Sequence, residues 1–292
     1  MHESLLAFRK RFYLWVALLL VVISVAAYWY HDPQEPPNGG TLLGYTLGTV
    51  GALLIAWLAL FGVRKRSYAS TLGTVQGWLS AHIYLGLALI VVVLLHAGFQ
   101  FGWNVHTLAF VLMMLVILSG VFGVVVYLRY PQRMSRNRGG APRSELIDEL
   151  EDIDRRSLHV AESLGADFHE FVASGVQRTQ LGATLWERFR GRDSSQILLR
   201  QRGETVITAN PGQDAALDWL AEQQSMSGDA ETAGAISELS ALIRNKRKLL
   251  RQLGADLKMQ ATLEIWLYVH VPLTAALVAA LLVHIVTVFL YW

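Results

Sequence analysis

The chain has 292 residues, is 53% hydrophobic and only 16% charged, and carries a formal net charge of +2. That balance excludes a disordered polyelectrolyte and offers no basic surface for nucleic acid. It contains no cysteine, which excludes disulfides, iron–sulfur clusters, thiolate zinc sites and the covalent attachment of c-type haem. Any cofactor must then rest on histidine, oxygen ligands or noncovalent contacts.

A helix needs about 20 mostly apolar residues to cross the hydrocarbon of a bilayer, and five runs qualify. The first, 12–30, is too rich in aromatics and too weakly marked by a small-residue cleavage site for a typical signal peptide, so it is expected to stay as a span. The next loop, "HDPQEPPNGG" (31–40), holds no Lys or Arg. Span two, 41–63, carries Gly44, Gly48 and Gly51, a pattern suited to close helix packing, and is followed by Arg64, Lys65 and Arg66. Span three, 78–101, leads through "GFQFGWNVH" (98–106), again without a basic residue, into span four at 106–128. Arg129, Arg133, Arg136 and Arg138 follow, and span five covers 265–291.

Because Lys and Arg are retained on the cytoplasmic side, this alternation places the N-terminus inside and the C-terminus outside. Tyr28-Trp29-Tyr30 and Tyr291-Trp292 suit the aromatic belts of the two interfaces. The fold class expected is an all-α membrane bundle of five transmembrane helices with a small cytoplasmic α+β insert between spans four and five. The divisions are 1–129 for the first four spans, 130–262 for the insert and 263–292 for the last span.

The insert is close to neutral, with its basic and acidic side chains nearly balanced. "SELIDELEDIDRRSLHVAESLG" (144–165) predicts a helix capped by Ser144 and ended by Gly165. "QILLRQRGETVITANPG" (196–212) alternates around Gly203 and predicts a short hairpin. A helix from about 231 is expected to continue into span five, and its basic stretch "RNKRKLLRQ" (244–252) to meet lipid headgroups. The insert shows no G-x-G-x-x-G, P-loop or catalytic triad, so it offers no enzyme motif of its own.

The histidines carry the functional signal. His82 and His96 stand at i and i+14 in span three, and His270 and His284 repeat that interval in span five; no other two histidines share it. Fourteen steps of about 100° fall roughly 40° short of four turns, so each pair shares a helix face, about 21 Å apart along the axis. One ring then sits in each leaflet of a core about 30 Å thick. The segments 78–96 and 266–284 also match at eight of nineteen positions without a gap, including the W-x-x-x-H start and the final histidine.

Spans three and five both run from inside to outside, so His82 can face His270 and His96 can face His284. Two imidazoles on opposing helices form a bis-histidine site for haem iron. The competing reading is four histidines that bond across helices or relay protons. Gly86 and Gly98 would leave room for a macrocycle, while Pro272 would tilt or kink the ligand helix. His106, at the outer start of span four, is a weaker candidate for touching a propionate, a quinone or water. Arg64 and Arg66 lie at the level where inner propionates would emerge, although a topology signal explains them as well.

The paired histidines on parallel spans, with "HAGFQFGWNVHTLAFVLMMLVILSGVFGVVVYLRYP" (96–131), resemble the dihaem membrane cytochromes b, both the bc-type cytochromes and the ferric-reductase-like transmembrane family. The resemblance covers the membrane part of the chain and not the insert. It implies two haem b groups, the inner held by His82 and His270 and the outer by His96 and His284. It further implies an electron-transfer subunit of a bacterial inner membrane, with lipid around it, a redox partner protein and a quinol as candidate partners, and a quinone as a further candidate cofactor. Alternatives are a terminal reductase of ferric iron or oxygen and, in another class, a non-redox membrane sensor or scaffold.

Overall fold

The computed structural model describes residues 8–31, 38–66, 73–137, 139–201 and 204–290. His2, Gly203, the Tyr291-Trp292 pair and most of the first outer loop lie outside the described residues. The protein is an all-α membrane bundle with a small α+β insert, about 82% helical, with five helices long and apolar enough to cross a membrane. These are α1 (Phe8–Tyr30), α2 (Leu42–Arg66), α3 (Val75–His96), α4 (Val105–Asn137) and, after the insert, α9 (Ala230–Leu290). The chain divides into two compact units, Met1–Val125 with Trp266–Trp292, and Val126–Ile265.

In the membrane unit the helices have chemical starts and stops. Thr41 Oγ1 accepts from the Gly44 N–H at the head of α2, and Thr74 Oγ1 accepts from the Gly77 N–H at the head of α3. Asn104 Oδ1 accepts from the Thr107 N–H at the head of α4. Such side chains satisfy amide groups that the first helical turn leaves without partners. Helix α3 stops at His96 rather than at 101, because Gly98 and Phe99 take left-handed φ values of 56° and 60°. The Gly98 and Phe99 amides donate back to Leu95 and Leu94. Gly98 thus terminates the helix, the use for which glycine's freedom at positive φ suits it.

The helices pack through Ile55 and Leu58 of α2, Leu89 of α3, Met113 of α4 and Leu277 of α9, all buried together. Hydrocarbon gives apolar side chains no reward for leaving it, so such contacts act through close fit. Outward-facing Trp15, Leu19, Val22 and Ile23 on α1 are exposed, as lipid-facing residues should be. Arg64, one of the basic residues after span two, donates to the Gly73 carbonyl at 2.6 Å and so ties down the α2–α3 connection.

The insert unit comprises α5 (Arg143–Leu164), α6 (Ala166–Gln177), α7 (Leu185–Arg190), the antiparallel pair β1 (Gln196–Gln201) and β2 (Glu204–Ala209), α8 (Asp214–Met226) and the first part of α9. Helix α5 begins before the expected cap: Pro142 precedes it and Ser144 lies inside. Pro142 stands at the cap position with φ −66° and an extended ψ of 156°, so its ring sets the backbone there although no side chain caps the helix. Gly165, at φ 106°, breaks α5 from α6. Ile197 and Leu199 turn one face of β1 into a core with Phe171, Trp219, Leu220, Ile236 and Leu239, and the Phe171 and Trp219 rings stack at 4.3 Å. Ser174 of α6 accepts from the Leu198 N–H, which fixes the strand against the helix.

Within the basic stretch 244–252, Arg244, Lys248 and Arg251 are exposed, while Lys246 and Arg247 turn to carboxylates of the insert instead of outward. Lys246 is buried, 2% exposed, and pairs with Asp154 of α5 at 2.7 Å, while Arg247 pairs with Asp214 of α8 at 2.6 Å. Leu249 and Leu250 are buried as well. Charge patterning alone cannot separate a lipid-facing helix from one whose cations find carboxylates across a domain core.

The start of α9 is capped by Asp229, whose Oδ2 accepts from the Thr232 amide and hydroxyl, both at 2.9 Å. These bonds hold the carboxylate below its ordinary pKa. Its contribution is therefore present above the ordinary carboxylate range and fades as pH falls through the lowered value. Asp229→Asn should keep the cap and remove the pH dependence of protection in the first turn of α9, read by amide hydrogen exchange.

Candidate functional site

The four histidines lie in the membrane unit, and His96 and His284 meet. The His96 and His284 ring centroids are 6.1 Å apart with their planes perpendicular. His82 and His270 stand fourteen residues before them on the same two helices, and Leu89 and Leu277, midway along each interval, are buried in one cluster. Helices α3 and α9 therefore run side by side in the same direction, first histidine with first and second with second.

Each ring is held by its own neighbours. His96 Nδ1 is 2.7 Å from the Gly44 carbonyl. A carbonyl only accepts, so Nδ1 carries the proton and Nε2 of the neutral ring keeps its lone pair. Gly48, one turn on, makes this placement possible. A Cβ there would come within 2.6 Å of His96 Cε1, and one at Gly39 within 3.3 Å. The glycines of span two thus do pack helices, but what Gly48 accommodates is the histidine itself.

At the other level, Ser119 of α4 serves α9 twice. Its Oγ lies 3.2 Å from His270 Nδ1, and its carbonyl accepts from Trp266 Nε1 at 2.8 Å. The indole then lies on Gly123, where a Cβ would come within 2.1 Å of the ring, and a Cβ at Gly120 would come within 3.6 Å of His270. His82 packs against Phe61, with centroids 5.2 Å apart. Its Nδ1 is buried and, among the described residues, has no hydrogen-bond partner. Trp57 and Trp78 stack at 4.8 Å within the same pair of helices.

A concrete consequence follows at Gly123. Gly123→Ala forces the Trp266 ring off its seat, and Nε1 cannot follow without losing Ser119. Overpacking of this kind costs about 1–3 kcal/mol. It should appear as a lower melting temperature in detergent and as an altered Trp266 environment in fluorescence.

Sequence reasoning undervalued His106 and passed over Ser119. His106 Nδ1 hydrogen-bonds His284 Nδ1, and their centroids are 4.4 Å apart, closer than His96 is to His284. The missed signal for the α4 face was the small-residue run Ser119, Gly120 and Gly123, the spacing that lets a bulky partner approach. Arg64 is engaged with a loop carbonyl, and Gly98 with ending α3.

Does this residue set suit a haem? Axial ligation needs a free Nε2 on each ring, and a neighbour on Nδ1 helps to orient it, a neighbour that His82 lacks among the described residues. Nδ1 is engaged on His96, His270 and His284. Metal–imidazole bonds of about 2 Å on either side would put two ligand centroids about 6 Å apart, and His96 and His284 stand at 6.1 Å. Among the described residues, nothing lies within 4 Å of where a Cβ on Gly86, one turn from His82, would be. Among the described residues no group of three or more His, Asp or Glu could hold a bare metal ion. A haem asks less of the protein, since its porphyrin supplies the iron's remaining ligands. The residues fit. Comparison with family models, with curated proteins and with solved structures returns no match, so the functional reading rests on these side chains.

Proposed function

We propose that this protein is a dihaem b-type cytochrome that carries electrons across a bacterial inner membrane, between a quinol or cytoplasmic donor and a redox partner on the other side. His82 and His270 would hold the inner haem, and His96 and His284 the outer. The observation that carries the reading is the 6.1 Å approach of His96 and His284 on two parallel helices, with both Nδ1 atoms engaged elsewhere. When bound, such a group supplies a one-electron ferric–ferrous couple whose potential the protein sets.

The chain's own part is to hold and insulate. The Gly44 carbonyl and Ser119 hydroxyl orient two of the rings, Gly48 admits one of them, and Leu89, Met113 and Leu277 fill an apolar layer of the same bundle. The basic loops favour an N-terminus in the cytoplasm and a C-terminus in the periplasm. With no enzyme motif in the insert, the electron donor and acceptor would be separate molecules, which suits a subunit of a larger complex.

Purified protein in vesicles, with an electron acceptor trapped inside, tests the function. A reduced quinol analogue added outside should reduce the haems and then the trapped acceptor. Haems that ignore quinol yet are reoxidised rapidly by ferric chelates or oxygen would shift the assignment to a terminal reductase. Haems that pass no electrons to either would sink the carrier.

A further inference from the structure

The outer level contains a third histidine that the paired-ligand scheme does not need. His106 stands at the head of α4, exposed, while its ring meets His284 edge to face with an Nδ1-to-Nδ1 hydrogen bond. Its place is prepared: Asn104 caps the helix on the Thr107 amide, and the Thr107 hydroxyl accepts from Gly102, which together fix the backbone on either side. The bond constrains both tautomers. If His284 is to offer Nε2 to a metal, its Nδ1 must carry the proton, and His106 Nδ1 must accept it. The His106 proton then lies on Nε2.

We propose that His106 is the positioning residue of the outer site: it accepts the His284 Nδ1–H, holds that ring in its ligating orientation and makes it a stronger donor to ferric iron. This rests on the dihaem reading above. At the facing ligand the Gly44 carbonyl plays the same part for His96. Because a main-chain carbonyl cannot be substituted away, His106 is the adjustable half of the outer pair. Partners of this kind change metal affinity or activity on the order of 10–100-fold when removed.

The experiment compares wild type, His106→Leu and His106→Gln by haem count, redox titration and low-temperature electron paramagnetic resonance. His96→Ala identifies which of the two potentials belongs to the outer site. In His106→Leu that potential should rise, by a tenfold loss of ferric preference or more, equivalent to about 59 mV for one electron. Its resonance should broaden or shift as the ring turns, while the inner potential stays in place. His106→Gln, whose amide oxygen can accept the same bond, should return the potential toward wild type. Two haems with unchanged potentials and resonances in His106→Leu would overturn the proposal alone. A Gln variant no closer to wild type than the Leu variant would also overturn it, since His106 would then only fill space. A wild-type chain without haem would overturn the dihaem reading and this proposal together.

Discussion

Replacing His82 or His270 by alanine should remove one haem and leave the other, and replacing His96 or His284 should remove the second and leave the first. The grouping matters more than the loss. His82 and His270 share one level of the bundle and His96 and His284 the other, so variants within a group should give the same residual spectrum and potential. On the dihaem reading, each of these substitutions would remove one of the two bonds that the chain offers to the iron concerned. No ring contact brings a third histidine to His82 or His270 among the described residues, so the expected occupancy there falls from one haem toward none. His106 lies against His284, so His284→Ala should be paired with the His106→Leu background. Difference spectra and extracted haem per chain give the readout. If His82→Ala and His284→Ala depleted the same haem, the pairing would be wrong. Gly48→Ala makes the same point without touching a ligand. Its methyl would press on His96 Cε1 and Nδ1, so the outer haem alone should be weakened.

The second large effect lies in the insert. Asp154→Ala would leave the Lys246 ammonium buried without its partner. Stripping one member from a buried ion pair costs about 3–5 kcal/mol, because the desolvated charge remains. Removing both charges together, as in Asp154→Leu with Lys246→Met, should restore most of that loss, since an apolar pair of similar volume is often neutral or stabilising. Hydrogen exchange over α5 and β1 in the full chain separates the cases. Fast exchange should appear in the single variant and near-wild-type protection in the double.

Much of the architecture was legible because membrane physics writes it in runs. Backbone groups in hydrocarbon must bond within their own helix, so unbroken apolar stretches of about 20 residues mark spans with little ambiguity. The hairpin at 196–209 was legible from alternation, and the run of α9 into the last span from the absence of a break before Trp266. The repeated i, i+14 interval made the histidine faces legible, since helix geometry converts spacing directly into direction.

What escaped the sequence depends on contacts between distant segments. The end of α3 at His96 rests on two left-handed residues, one of them a phenylalanine that no rule marks as a stop. Ser144 has the chemistry of a cap, but Pro142 already sets the backbone. Lys246 and Arg247 have the look of headgroup ligands in sequence, yet Asp154 and Asp214, which belong to two other helices of the insert, take them up. His106 is far from His284 in the chain and carries no spacing signal; only the packing of α4 beside α9 brings them together.

Whether the paired rings hold haem decides the function. The most direct measurement is the count of extractable haem per chain in protein purified from haem-replete cells, taken with its reduced-minus-oxidised spectrum. Two haems per chain are expected, b-type in spectrum and fully removed by acid–organic extraction, as a chain without cysteine requires. A folded, colourless preparation would contradict the dihaem reading.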